Sequence, residues 1–355
     1  MKERNFFILT LAMSIIVVLT LGIFTYCINN IKFSSPKLFS GISARKYNSI
    51  IAKNFDYDAV ILGSSMSQGF KCSEFDKVFN CESIKMTMPG ANFKEISFIA
   101  EYAMKYRDIK IAMLDSSVYF FRQKITLEQI PKEHYKEKNH FTMLKKSLAI
   151  TDFVQAIDFF IKFIKGKVKY TTRDELYDWN LSNKCGEKYF AKALLYKNTT
   201  YSFFDNNALN NVNENLNKVL IPLFTRHKDK KFILFFPPYS IMFYRSVDPT
   251  LYVKLKSQII DNLLTMNNIM IYDFETAFNI TQNFNNYKDV THYSGRINSW
   301  ILSEISKGNY LLTKQNKEHQ LKLLHDKLSS YDYNKTYEYM KKKYSSTLKK
   351  KKKKK

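Results

Sequence analysis

Hydrophobic positions divide this chain into three kinds of segment. The first is a single unbroken apolar run, Phe6–Ile28, in which 23 residues pass without a charge. As a helix it would be about 34 Å long, enough to cross a hydrocarbon core of ~30 Å. The second kind is short and apolar: Tyr57–Leu62, Glu82–Met86, Ile109–Leu114, Lys231–Phe236 and Asn268–Tyr272. Turn residues such as Pro89-Gly90 and Pro237-Pro238 end two of these stretches, as expected of strands. The third kind repeats apolar residues every three or four positions. Phe93–Tyr106 sets Phe93, Ile96, Ile99, Ala100 and Ala103 on one face, and Leu251–Leu264 does so with Leu255, Ile259 and Leu263. Ser294–Ser306 reads as a closing helix. Short apolar strands separated by helices predict an α/β body with a parallel sheet covered on both faces. Tyr57–Leu62, Ile109–Leu114 and Lys231–Phe236 should be adjacent, with the first of them central.

This pattern organises the chain into an anchor (1–30), a juxtamembrane connector (31–54), an α/β domain (55–310) and a helical, lysine-rich tail (311–355). A mostly helical insertion, about 120–217, interrupts the sheet, with helical spacing clearest at Phe141–Ile164. It is dense in Tyr and Phe and would serve as a lid, a substrate platform or a partner-binding subdomain. Trp179 within it reads either as core or as a surface for stacking sugars. The apolar run is longer than the core of a signal peptide and lacks a small-x-small site after it, so it reads as an uncleaved anchor. Tyr26 before Cys27 is too bulky for a lipoprotein signal. Lys2 and Arg4 precede the run while Lys32 and Lys37 follow it, which favours an inner-membrane, single-pass topology with the body on the extracytoplasmic side.

Charge changes this picture little. The net charge is +24, but Lys341–Lys343 and Lys349–Lys355 supply ten lysines, and without them +14 remains. Such a tail is normally solvated, and its functional reading is a tether to anionic lipid or polyanionic glycan. Nucleic acid would suit the charge, but an exported body would not ordinarily meet it. The cysteines Cys27, Cys72, Cys81 and Cys185 form no C-x-x-C and no metal-ligand spacing. Cys72 and Cys81 flank a short helical stretch and would either pair in an oxidising compartment or remain reduced.

Two segments carry candidate chemistry. Asp58-Ala-Val-Ile-Leu-Gly63-Ser64-Ser65-Met66-Ser67 reads as a buried strand entering a tight turn, and Tyr287-Lys-Asp289-Val-Thr-His292-Tyr-Ser294 sets an Asp and a His three residues apart. A hydroxyl at a strand end, an imidazole to take its proton and a carboxylate to orient the imidazole are the parts of nucleophilic acyl chemistry. The plainer readings are a helix-capping Ser65, a packed or capping His292 and a turn Asp289. His134, His140, His227, His319 and His325 show no partner pattern and read as surface residues.

Gly63-Ser64-Ser65 after the first strand, Gly90 after the second, and Asp289-x-x-His292 near the end together resemble the SGNH/GDSL hydrolase superfamily. Ile61-Leu-Gly-Ser-Ser-Met-Ser67, Phe235-Phe-Pro-Pro-Tyr-Ser240 and Asn286-Tyr-Lys-Asp-Val-Thr-His-Tyr-Ser294 are similar to its membrane-anchored branch. That branch includes the D-alanyl-transfer proteins of teichoic acid systems and alginate acetyltransferase-like proteins. The resemblance spans about Tyr57–Ser306 without the insertion. It implies a flavodoxin-like, three-layer α/β/α fold with Ser65 as nucleophile, His292 as general base and Asp289 as its orienting carboxylate. It also implies an oxyanion hole from the N–H groups of Ser65 and Gly90.

Two positions depart from the family pattern. Ser64 stands where Asp usually precedes the nucleophile. Asp115, in Met113-Leu114-Asp115-Ser116-Ser117, stands where an Asn side chain usually donates to the oxyanion, and an ionised Asp cannot donate; Asp115 reads instead as a structural strand-end residue. The implied activity is that of an envelope-anchored serine esterase or O-acyltransferase for acyl groups of a cell-surface glycan. No metal or organic cofactor is required. The partners would be the acylated glycan or acyl donor and, for transfer, a membrane-bound O-acyltransferase. The rival reading is a non-catalytic glycan-binding or assembly component with the same fold.

Overall fold

The computed structural model describes residues 2–33, 38–121, 125–127, 129–132, 135, 150–196 and 207–352. Seven strands run through them: β1 (Leu38–Phe39), β2 (Ala59–Leu62), β3 (Ser83–Lys85), β4 (Ile111–Asp115), β5 (Tyr170–Thr171), β6 (Lys231–Phe236) and β7 (Ile269–Asp273). The chain divides into two units, Met1–Phe55 with Pro131–Thr172, and Asp56–Ile130 with Arg173–Lys355.

In the first unit the N-terminal helix, Lys2–Phe33, contains the apolar span Phe6–Cys27, which is long and apolar enough to cross a membrane. β1 pairs antiparallel with β5. The stretch expected as a plain connector carries a helix, Ala44–Asn54, with Tyr47, Ile51 and Ala52 buried. The Tyr47 hydroxyl accepts the Phe39 N–H at 2.9 Å, so this tyrosine ties the helix to β1. A helix Ile150–Ile164 matches the second half of the spacing seen at Phe141–Ile164; residues 141–149, like His134 and His140, lie outside the described residues.

The second unit is built on a parallel five-stranded sheet ordered β3-β2-β4-β6-β7. All four residues of β2 are buried, as are the last four of β4 and the last five of β6, so both faces of the sheet are covered. The central strand is β4 and not β2 as expected: β3 takes the place outside β2, and the chain then crosses back to lay β4 on the other side. That reversal lies at the carboxyl ends of β2 and β4, the position at which ligands bind in open sheets of this kind.

Helices Phe93–Tyr106 and Gly295–Ser306 form where spacing placed them. The first starts with a reciprocal cap, in which Asn92 accepts the Glu95 N–H and Glu95 accepts the Asn92 N–H. Pro249–Leu263 is capped by Asp248, which accepts the Thr250 and Leu251 N–H groups. Its Lys256 is fully buried and donates to Asp273 at 2.7 Å and to Glu275 at 2.6 Å, which closes the end of β7. The tail forms helices Lys317–Ser330 and Tyr333–Lys352, and Leu321, Leu324, Leu328 and Met340 bury apolar surface in the second unit.

Candidate active site

The site begins at the end of β2. Gly63 has a φ of +121°, a backbone conformation that side chains disfavour, and a Cβ there would meet Asp115 Oδ1 at 1.8 Å. The carboxylate stands so close because it organises the whole turn. Asp115 Oδ1 accepts the Ser64 N–H at 2.7 Å and the Ser67 hydroxyl at 2.6 Å, while Oδ2 accepts the Ser64 hydroxyl at 2.6 Å. Asp115 is fully buried. Burial pushes its carboxyl above the ordinary range, and the hydrogen bonds from Ser64 and Ser67 only partly pull it back. Ser64 is therefore half of a lock between β2 and β4. With Ser64 turned inward, the next side chain turns outward.

That next side chain is Ser65. Its Oγ lies 2.9 Å from Nε2 of His292, a residue 227 positions later. The other ring nitrogen of His292 lies 2.9 and 3.0 Å from the two carboxylate oxygens of Asp289. Asp289 also accepts the N–H groups of Thr291 at 3.1 Å and His292 at 2.9 Å, and the Thr291 hydroxyl at 3.0 Å. Burial would raise the Asp289 carboxyl, but the hydrogen bonds and charge of His292 and the Thr291 N–H outweigh it and hold the group well below the usual carboxylate range. An ionised Asp289 places the imidazole proton on Nδ1, which leaves the Nε2 lone pair facing the Ser65 hydroxyl. The three residues named from the sequence come together in one line.

The loop that delivers His292 is held from β6. The Tyr287 hydroxyl donates to the Pro238 carbonyl at 2.7 Å, and the Ser240 N–H donates to the Val290 carbonyl at 3.1 Å. Pro237-Pro238 thus ends the strand and leaves a carbonyl free for the loop. On the other flank, the Met88 N–H donates to the Gly63 carbonyl at 2.8 Å and the Ala91 N–H to the Met88 carbonyl at 3.1 Å. This closes a turn over Pro89-Gly90, with Gly90 at a φ of +63°. Among the described residues, neither the Ser65 N–H nor the Gly90 N–H has a protein acceptor. Asp115 adds no third donor, because its oxygens already accept three hydrogen bonds.

Several contacts of the site escaped sequence reading. Trp179, open from sequence to both a core and a sugar-stacking reading, is half-buried beside the site. Its Nε1–H donates to the Ser65 carbonyl at 2.9 Å, and its ring meets the His292 ring edge-on with centroids 5.3 Å apart. The Lys288 ammonium lies 5.2 Å from the centre of the same indole. Asn298 donates to the Met66 carbonyl at 3.0 Å, and Asn180 accepts the Gly295 N–H at 3.1 Å, so the closing helix is stitched to the serine turn. Lys85 is fully buried and donates to the carbonyls of Gln68 at 3.0 Å and Asp174 at 2.6 Å, linking the turn to the segment that carries Trp179. A lysine inside an apolar strand was a visible sign; Trp179 stood out as a residue, but nothing around it in the sequence pointed to Ser65 and His292 as its neighbours.

Of the remaining expectations, His227 proves to be paired, its Nε2 lying 2.8 Å from Glu101. Cys72 and Cys81 are free thiols, and burial pushes Cys72 up to about 11. Among the described residues no group of three or more His, Cys, Asp and Glu is placed to hold a metal ion. Compared with known protein families and with curated proteins, the chain matches no family model and no curated relative.

Proposed function

We propose that this chain is an envelope-anchored serine esterase or O-acyltransferase of the SGNH type, with a three-layer α/β/α fold, acting on acyl groups of a cell-surface glycan. The observation that carries the reading is the unbroken line from Ser65 Oγ through both nitrogens of His292 to Asp289, with contacts of 2.9 Å on each side of the ring. A serine hydroxyl is a poor nucleophile at neutral pH until a base stands within hydrogen-bond reach. Its position at the carboxyl end of β2, beside the reversal in strand order, is also where substrates reach such sheets.

In the proposed reaction Ser65 Oγ attacks the acyl carbonyl while His292 Nε2 takes the hydroxyl proton. Asp289 keeps the Nδ1 proton in place and stabilises the imidazolium that forms. The developing oxyanion is received by the Ser65 and Gly90 N–H groups, donors of the kind that contribute about 3–4 kcal/mol each. His292 then gives its proton to the departing glycan hydroxyl, leaving an ester on Ser65. Water releases the acyl group as an acid; a second sugar hydroxyl would receive it as a new ester. A transferase would require its acyl donor from the membrane, which suits a membrane-bound O-acyltransferase as partner. The anchor Phe6–Cys27 suits a body working on the extracytoplasmic side.

A fluorophosphonate probe tests this directly, since it labels an activated serine and leaves an inert one untouched. The full chain should be labelled, and Ser65→Ala and His292→Ala should abolish labelling while the protein stays folded. An unlabelled, folded wild-type chain overturns the catalytic reading in favour of a glycan-binding component.

A further inference from the structure

The helix Ile150–Ile164 lies against the N-terminal helix. The rings of Phe160 and Phe24 meet edge-on with centroids 5.4 Å apart. Phe24 is three residues inside the end of the apolar span Phe6–Cys27, a depth of about 4.5 Å at the helical rise. With that span across a bilayer, the contact falls where acyl chains give way to headgroups. A second side of Ile150–Ile164 is also covered, since Phe159 meets Phe39 at 5.7 Å.

A third side has none of the described residues packed over it. Val154, Ile161 and Ile164 are 59%, 44% and 67% exposed, and separations of seven and three residues place them on one stripe of the helix. Asp158 and Lys162, paired at 2.6 Å, border the stripe on the side away from Phe160. Immediately after the helix come Lys165, Lys167 and Lys169, all exposed. None of the three is ion-paired among the described residues. A surface helix facing water would carry polar residues along that stripe. An apolar stripe with a polar border and a basic end is the pattern of a helix lying in the plane of a membrane surface.

We propose that Ile150–Ile164 is an interfacial helix that lies in the bilayer surface beside the membrane-spanning helix. Val154, Ile161 and Ile164 enter the acyl region, and Lys165, Lys167 and Lys169 meet lipid phosphates. The chain would then hold the membrane through a span and a lateral float, and the float would fix the rotation of the first unit about the span. This inference is independent of Ser65 and its chemistry.

The test uses the full chain reconstituted in vesicles of phosphatidylcholine and phosphatidylglycerol. Cys27→Ser, Cys81→Ser and Cys185→Ser remove the accessible thiols, and Cys72 stays buried. An environment-sensitive fluorophore is attached, in separate proteins, to Ile164→Cys, Asp158→Cys and Leu11→Cys. The Ile164→Cys label should show blue-shifted emission that is lost to doxyl-labelled lipid and spared by aqueous iodide, while the Asp158→Cys label should be lost to iodide. Ile164 is well exposed, so the substitution leaves the packing intact. Iodide quenching at position 164 equal to that at 158 overturns the proposal. Protection from both quenchers also overturns it, because the stripe is then covered by a second copy or another protein. Iodide quenching at Leu11→Cys removes the membrane span on which the inference rests.

Discussion

Ser64 and Ser65 are neighbours in sequence, and each is linked to an aspartate, yet their surroundings set them to opposite tasks. Ser64 is 1% exposed and its hydroxyl donates straight to the buried Asp115. No base stands between them, and the serine proton is used up in holding β2 to β4. Ser65 is half-exposed, and an imidazole stands between its hydroxyl and Asp289. A carboxylate bonded directly to a serine makes a brace, whereas in the proposed reaction a carboxylate behind a histidine orients the imidazole that takes the serine proton. The brace matters to Ser65 because the turn can present Ser65 outward only while Ser64 is held inward.

The largest expected effect separates the two serines by activity. Ser65→Ala and His292→Ala should each lower acyl turnover on the order of 10⁴-fold or more, and the double change should cost little beyond either, as for residues that act as a unit. Their melting temperatures should stay near wild type. Additive losses, or residual turnover within tenfold of wild type in steady-state assays, would break the comparison on the Ser65 side.

On the Ser64 side the expected loss is in stability. Asp115→Ala strands the Ser64 N–H, the Ser64 hydroxyl and the Ser67 hydroxyl without an acceptor in a dry site, a change of roughly 3 kcal/mol or more in urea denaturation. Ser64→Ala removes one donor and should cost about 1–2 kcal/mol, while fluorophosphonate labelling of Ser65 survives. A Ser64→Ala protein of normal stability but without labelling would reverse the roles assigned here.

A smaller change concerns the indole that touches both Ser65 and His292. Trp179→Phe keeps a ring against His292 but deletes the hydrogen bond to the Ser65 carbonyl, worth about 1 kcal/mol. Turnover should fall about fivefold with little change in stability. An unchanged kcat/KM would show that the Ser65 backbone is positioned without it.

The smallest effect is in the acid limb of stability. The Asp289 carboxyl titrates lower in the folded chain than in the unfolded one. Its contribution is therefore fully present above the ordinary Asp value of about 3.9 and is lost as pH falls below it towards the folded value. Denaturation of wild type and Asp289→Asn should differ most near neutrality, and the difference should shrink below about pH 4. A difference that grows on acidification would mean that Asp289 is not held as a carboxylate.

Much of this molecule was legible in one dimension because its signals are local. The apolar run Phe6–Cys27, the places of the strands, and the helices Phe93–Tyr106 and Gly295–Ser306 follow from the pattern of apolar side chains. Residue types at turns pointed to Ser65, Asp289 and His292, since a tight glycine turn after a strand and an Asp-x-x-His loop are compact enough to recognise. Periodicity also hid things. The helix Ala44–Asn54 buries Asn48 and Ser49 beside Tyr47, Ile51 and Ala52, and that mixed face read as a connector.

Tertiary structure alone decided the rest. Strand order is set by which edge each crossover returns to, so β4 became central although β2 and β4 both read as short apolar strands. The use of Asp115 depended on a neighbour 51 positions away: alone it is an acid at a strand end, and only Ser64 and Ser67 make it a brace. Trp179 touches the Ser65 carbonyl from 114 residues later, out of a loop with no pattern of its own. Local sequence encodes which elements form, because backbone propensity and burial act over a turn or two. Which polar groups share one buried space is fixed only when distant segments close around it and each donor must find an acceptor.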